Sequence, residues 1–61
     1  MSKEIDIRPL KRFAIAHLHD YPILQKIILE DEDKIFAEEF IVKVKIWLSL
    51  LRQEKLATQV L

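Results

Sequence analysis

The chain has 61 residues, of which 51% are hydrophobic and 33% charged, with ten basic and ten acidic side chains and no cysteine. This composition excludes disulfides and thiolate metal sites, is too apolar for a disordered segment, and lacks the broad positive field of typical nucleic-acid binders. Residues 1–61 can form only one small domain. Because a chain this short buries only about 60% of its unfolded surface, we expect association to complete its core.

The first predicted helix covers residues 7–20. Asp6 is its expected N-cap, Pro9 lies in the first turn where a missing N–H costs nothing, and apolar residues then recur at three- and four-residue steps. His17 belongs to this apolar stripe and is expected to be partly buried. His17 and His19 point about 200° apart on a helix and therefore could not share one metal ion.

The second predicted helix covers residues 22–31. Pro22 disfavours helical geometry at Tyr21 and suits the first position of a new helix, so we expect a bend at residues 20–21 and a cap from Asp20 or Tyr21. The four acids of residues 30–33 then end this helix and lie at the positive N-terminal end of a third.

The third predicted helix covers residues 33–60 and would be about 40 Å long at 1.5 Å per residue. Its broad apolar stripe has the aromatic bulk of a core, to be covered by the two shorter helices. The stripe contains Phe36, Ala37, Phe40, Ile41, Val44, Trp47, Leu48 and Leu51. Three of these, Phe36, Phe40 and Trp47, are interpreted as core aromatics or, alternatively, as anchors for a partner helix.

A second, narrow stripe follows heptad spacing and predicts a self-association seam. Two stripes require two partners, and the remaining residues of a short chain can cover only one of them. Polar members weaken the seam but could set its register, and Glu39 is positioned to pair with Lys43 of a second chain. The seam residues are Ile35, Glu39, Val42, Ile46, Ser49, Gln53, Leu56 and Val60.

Residues 41–46 also alternate in polarity and are rich in β-branched side chains, as a half-buried strand would be. No glycine or Asn-Gly pair supplies a hairpin turn nearby, and the flanking segments are helical. The helical interpretation is therefore preferred.

The sequence gives no sign of enzyme chemistry. The chain has two serines and one threonine without a recognisable relation to a histidine, no glycine for a phosphate loop, and no calcium-loop spacing among its acids. We therefore expect no catalytic residues, no cofactor and no metal. An export signal and a membrane-length apolar run are also missing from the sequence, which predicts a cytoplasmic protein without membrane contact.

These patterns together predict an all-α fold of three helices, two short and one long, that associates as a helical-bundle homo-oligomer, with a dimer favoured. The leading functional hypothesis is a non-enzymatic interaction module with a protein partner. The alternative is a small dimeric helix-turn-helix-like DNA-binding regulator. Nucleic acid is disfavoured because acids surround the start of the third helix, and its expected contacts would be Lys3, Arg8, Lys11 and Arg12.

Overall fold

A computed structural model describes the backbone of residues 3–60 and the side chains of residues 3–58. The fold is mostly helical, and the three predicted helices are present, but two short strands that were not predicted form a small sheet. The all-α prediction is therefore right for most of the chain and wrong for these strands. In chain order the elements are β1 (Glu4–Asp6), α1 (Arg8–His17), α2 (Pro22–Glu30), β2 (Lys34–Phe36) and α3 (Ala37–Val60).

The sheet is antiparallel and pairs the start of the chain with the segment before α3. Ile5 lies opposite Ile35, and the pairing is extended at both ends by hydrogen bonds from Ile7 N–H to the Asp33 carbonyl (2.8 Å) and from Ala37 N–H to the Lys3 carbonyl (2.7 Å). These bonds use backbone groups that a helix starting at residue 33 would need for its own ladder. The long helix therefore begins at Ala37, four residues later than predicted.

The two short helices are joined by residues 18–21. α1 ends at His17 rather than residue 20, and the Gln25 side-chain amide donates a 2.8 Å hydrogen bond to the Ala14 carbonyl, which ties α2 to the end of α1. The N-cap of α1 is Ile7, one residue after the predicted Asp6, although the Asp6 carboxylate still accepts the Arg8 backbone N–H at 2.9 Å. Residues 41–46 are helical, which confirms the preferred interpretation of that segment.

The core lies between the sheet, the two short helices and one side of α3. α2 runs along α3 in the opposite direction, because its first turn meets Glu54 and the residue after its last turn, Asp31, meets Lys43. The cover that α2 provides is therefore limited to one side of α3. The buried side chains are Ile7, Ala14, Leu24, Ile28, Ile35 and Trp47.

The molecule is elongated, with extents of 47 × 20 × 13 Å and a radius of gyration of 12.5 Å. A compact domain of this length has a radius of gyration of about 10.5 Å. The accessible surface of 4913 Å² likewise exceeds the roughly 4,200 Å² expected for a compact monomer of this mass. The excess arises because α3 is longer than the elements that cover it.

Candidate functional site

The predicted seam residues of α3 lie largely in solvent. Val42, Ile46 and Leu56 have 56%, 50% and 61% of their surfaces exposed, and Glu39 and Gln53 are exposed beside them. Because half or more of each apolar side chain is exposed, no element in the described part of the chain covers this face of α3. From here on, the seam means the part of the predicted set that is exposed on α3: Val42, Ile46 and Leu56, with the polar residues Glu39 and Gln53 beside them.

Two predicted seam residues do not belong to the described surface. Ile35 is in β2 rather than on the helix, and its side chain is buried in the core, so its assignment to the seam was wrong. The helical spacing that suggested it does not extend into a strand. The Val60 side chain lies outside the described residues.

A second apolar face of α3 is exposed where the sequence predicted core. Ile41 is 60% and Leu48 49% exposed, whereas Val44 and Leu51, which lie nearer to the Trp47 side of the helix, are partly buried against the core. The assignment of Ile41 and Leu48 to a covered stripe was wrong, because α2 is a single short helix and reaches only the side of α3 that carries Trp47. α3 therefore exposes two apolar faces to solvent instead of the one that was predicted.

The three aromatic candidates have different surroundings. Trp47 is buried, and its ring meets the half-buried Phe40 edge-on with centroids 5.9 Å apart. Edge-to-face pairs of this kind add packing energy beyond simple burial. Phe36 is half-exposed on β2, opposite Glu4. Trp47 and Phe40 are thus core residues of the single chain, while Phe36 has an uncovered ring.

An acidic cleft of about 590 Å³ lies at the N-terminal end of α3, between the sheet and the loop that follows α2. Its carboxylates outnumber its ammonium groups by five to two, and Phe36 lines it as well. The residues of the cleft are Glu4, Glu30, Asp31, Glu32, Lys34, Ile35, Phe36, Glu39 and Lys43.

A shallower groove of about 400 Å³ follows the seam, with an almost wholly apolar lining. It includes Val42 and Ile46, with Glu38 at one side, and it shares Glu39 and Lys43 with the acidic cleft. The groove and the cleft therefore form one continuous concave surface, apolar along the helix and acidic at its end.

Two lysines hold the wall of the acidic cleft in place. Lys43 Nζ lies 2.6 Å from Asp31 Oδ1, and this hydrogen bond raises the pKa of Lys43 above its ordinary value. Lys11 Nζ pairs with Asp33 Oδ1 at 2.8 Å and also donates to the Asp31 carbonyl. Lys43 is thus engaged within its own chain, which leaves the predicted pairing with Glu39 of a second chain without its expected partner.

The four basic residues proposed for nucleic-acid contact do not form a patch of unpaired positive charge. Arg8 makes a two-pronged ion pair with Asp6, which lowers the pKa of that carboxyl to about 2, and Lys11 is held by Asp33. Lys3 and Arg12 are exposed, and neither makes an ion pair within the described part of the chain. Half of the predicted contacts are therefore already neutralised by carboxylates.

The cap of α2 comes from a residue that the sequence did not indicate. The Glu54 carboxylate accepts the backbone N–H groups of Ile23 (2.9 Å) and Leu24 (3.0 Å), whereas Tyr21, the N-cap residue, contributes no side-chain bond. The predicted cap at Asp20 or Tyr21 was wrong because the acceptor lies about thirty residues away, on α3. Glu54 also occupies the helix end that a DNA-reading helix would present to its target.

The surroundings of His17 differ from those that the sequence predicts. His17 is exposed, not partly buried as expected, and its ring lies over Phe13 with centroids 4.8 Å apart. Among the residues that the structure describes, no group of three or more histidines, cysteines and carboxylates is arranged to hold a metal ion. No helix in the same part of the chain combines the length and the apolar character needed to cross a bilayer.

Comparisons with protein-family models, with curated proteins and with solved structures found no match for this chain.

Proposed function

We propose that this protein is a non-enzymatic interaction module that self-associates, most simply as a twofold homodimer, through the seam of α3. The observation that carries the proposal is the exposure of Val42, Ile46 and Leu56 along one helix face. The elongated shape and the excess surface support it, because both are reduced when a second helix covers α3.

The magnitude of the burial indicates what kind of dimer this seam can make. Covering a side chain that is about half-exposed contributes about 1 kcal/mol, so three such residues in each of two copies contribute about 6 kcal/mol. Association costs about 4 kcal/mol or more in lost rigid-body freedom. These three side chains therefore leave about 2 kcal/mol, whereas a dimer in the micromolar range needs about 6 to 8 kcal/mol. The proposed dimer thus requires further contacts between the copies beyond the seam.

The experiment is molar mass by light scattering from about 1 to 100 µM, with wild type and two paired variants. We expect wild type to shift from monomer to dimer, and Val42→Lys with Ile46→Lys to remain monomeric while keeping its helical circular dichroism. Ile41→Lys with Leu48→Lys is the matched control on the other apolar face and should still dimerise. A monomeric wild type throughout contradicts the proposal, and loss of dimer only in the control pair moves the contact to the second face.

A small DNA-binding regulator is the second candidate. It is supported by the layout of α1 and α2, two helices joined by the short segment of residues 18–21. The ion pairs of Arg8 and Lys11 and the Glu54 cap weigh against it. Retardation of a generic duplex that falls steeply with salt and is weakened by Arg12→Ala would favour this candidate, and no retardation at low salt would remove it.

A further inference from the structure

We infer that the two copies pair antiparallel along the seam, so that the C-terminal turns of α3 from each copy lie over the acidic cleft of the other. This inference rests on the proposed self-association and adds its direction, its register and its polar contacts. In this arrangement a second copy of this chain occupies the cleft.

The concave surface is continuous from the apolar groove of the seam to the acidic cleft. A helix that packs in the apolar groove beside Val42 and Ile46 would extend into the acidic cleft, because Glu39 and Lys43 line both the groove and the cleft. Phe36 has a half-exposed ring in the cleft, and Leu56 is 61% exposed, the highest value among the large apolar side chains of α3 that the structure describes. An occupant with an apolar residue and positive charge near its end fits this surface.

The charges along α3 supply such an end. Its first turn carries Glu38 and Glu39, whereas the basic residues of its C-terminal third, Arg52 and Lys55, lie one to two turns before its last residue. Glu54, the one acid between those two basic residues, is turned inward to cap α2. A parallel pair would set each acidic end beside the other and each basic end beside the other. The antiparallel pair sets opposite charges together at both ends.

The register follows from the apolar residues. If the twofold axis passes level with residue 44, Val42 of each copy faces Ile46 of the other, and Glu39 faces Ser49. At 1.5 Å per residue, Leu56 then lies about 18 Å from the axis and the first residue of the other α3 about 10 Å from it. Leu56 therefore reaches about 8 Å past the start of the other helix, to the level of its strand β2 and acidic cleft.

Disulfide trapping tests the direction, since the chain has no cysteine of its own. Glu39→Cys and Ser49→Cys are made as separate exposed variants, and Lys26→Cys on α2 is the control. We expect a mixture of the first two to give mainly the mixed disulfide, with little product from Ser49→Cys alone and none from the control. Rapid self-linking of Ser49→Cys indicates a parallel pair and overturns the inference while leaving the proposed dimer intact. A monomer by light scattering removes both.

Charge reversal tests the contact with the cleft independently. We expect Arg52→Glu with Lys55→Glu, or Glu38→Lys with Glu39→Lys, to raise the dimer Kd about tenfold at low salt, and the four changes together to restore it. In a parallel pair each double variant would keep like charges together, so its Kd would stay near the wild-type value. An unchanged Kd in both double variants therefore also overturns the inference.

Discussion

Glu54 lies on α3, and its carboxylate is the only side-chain cap of α2 among the described residues. Replacing Glu54 with alanine removes this cap. Two backbone N–H groups, those of Ile23 and Leu24, lose a carboxylate partner, and α2 loses a polar link to α3. Loss of an N-cap costs about 1 to 2 kcal/mol. For 61 residues the unfolding entropy near the midpoint is about 0.13 kcal/mol/K, so 1 kcal/mol corresponds to about 8 °C. We therefore expect the melting temperature to fall by about 8 to 15 °C.

The assay is thermal unfolding followed by circular dichroism, with every variant at the same protein concentration because association raises the melting temperature. Glu54→Gln keeps an oxygen acceptor but loses the charge and should fall between wild type and alanine. Lys45→Ala changes an exposed residue on the same helix and should stay within about 4 °C of wild type. A Glu54→Ala melting temperature as high as that of Lys45→Ala would refute the assigned cap.

Three further outcomes are expected. Trp47→Ala should lower the free energy of unfolding by about 3 to 5 kcal/mol in urea titrations, because the ring is buried; altered partner binding at unchanged stability would instead make Trp47 an anchor. The raised pKa of Lys43 means that its pairing with Asp31 stabilises the fold below the ordinary value of 10.5 and loses that effect as pH rises through the folded-state pKa. Wild type should thus lose more stability than Asp31→Asn between pH 9 and 12, in roughly the region of lysine titration; equal losses would argue against the pair. Arg8→Ala should return the pKa of Asp6 from about 2 toward 3.8, as read from carboxyl NMR shifts, and a pKa that stays near 2 would assign the shift to another group.

The parts of the fold that the sequence predicts are those governed by local spacing. Apolar residues at three- and four-residue steps, with Pro9 and Pro22 at helix starts, predicted three helices in the right order. The same spacing predicted the exposed positions Val42 and Ile46. The alternating stretch of residues 41–46 was correctly assigned as helix because no turn residue lies near it.

The parts that local spacing misses all depend on residues far apart in the chain. β1 and β2 are each three residues long, and neither makes a strand without the other, which lies thirty residues away. Ile35 therefore matched a helical heptad while belonging to a sheet. Glu54 as the cap of α2 and Lys43 as the partner of Asp31 were missed for the same reason. The spacing of polar residues along a helix can be read from the sequence. Which element of the fold packs against each of them cannot.

The distribution of apolar residues on α3 links the fold to the proposed function. One neighbouring element can bury the apolar side chains of a helix that has a single apolar stripe. A helix with apolar residues on several sides needs neighbours on several sides to bury them. α2 covers the Trp47 side, which leaves the faces of Val42 and of Ile41 uncovered. Since α1 and the sheet pack into the core, none of the described elements is left to cover either face. In the proposed dimer a second copy supplies the cover for the seam, whose apolar groove shares Glu39 and Lys43 with the acidic cleft.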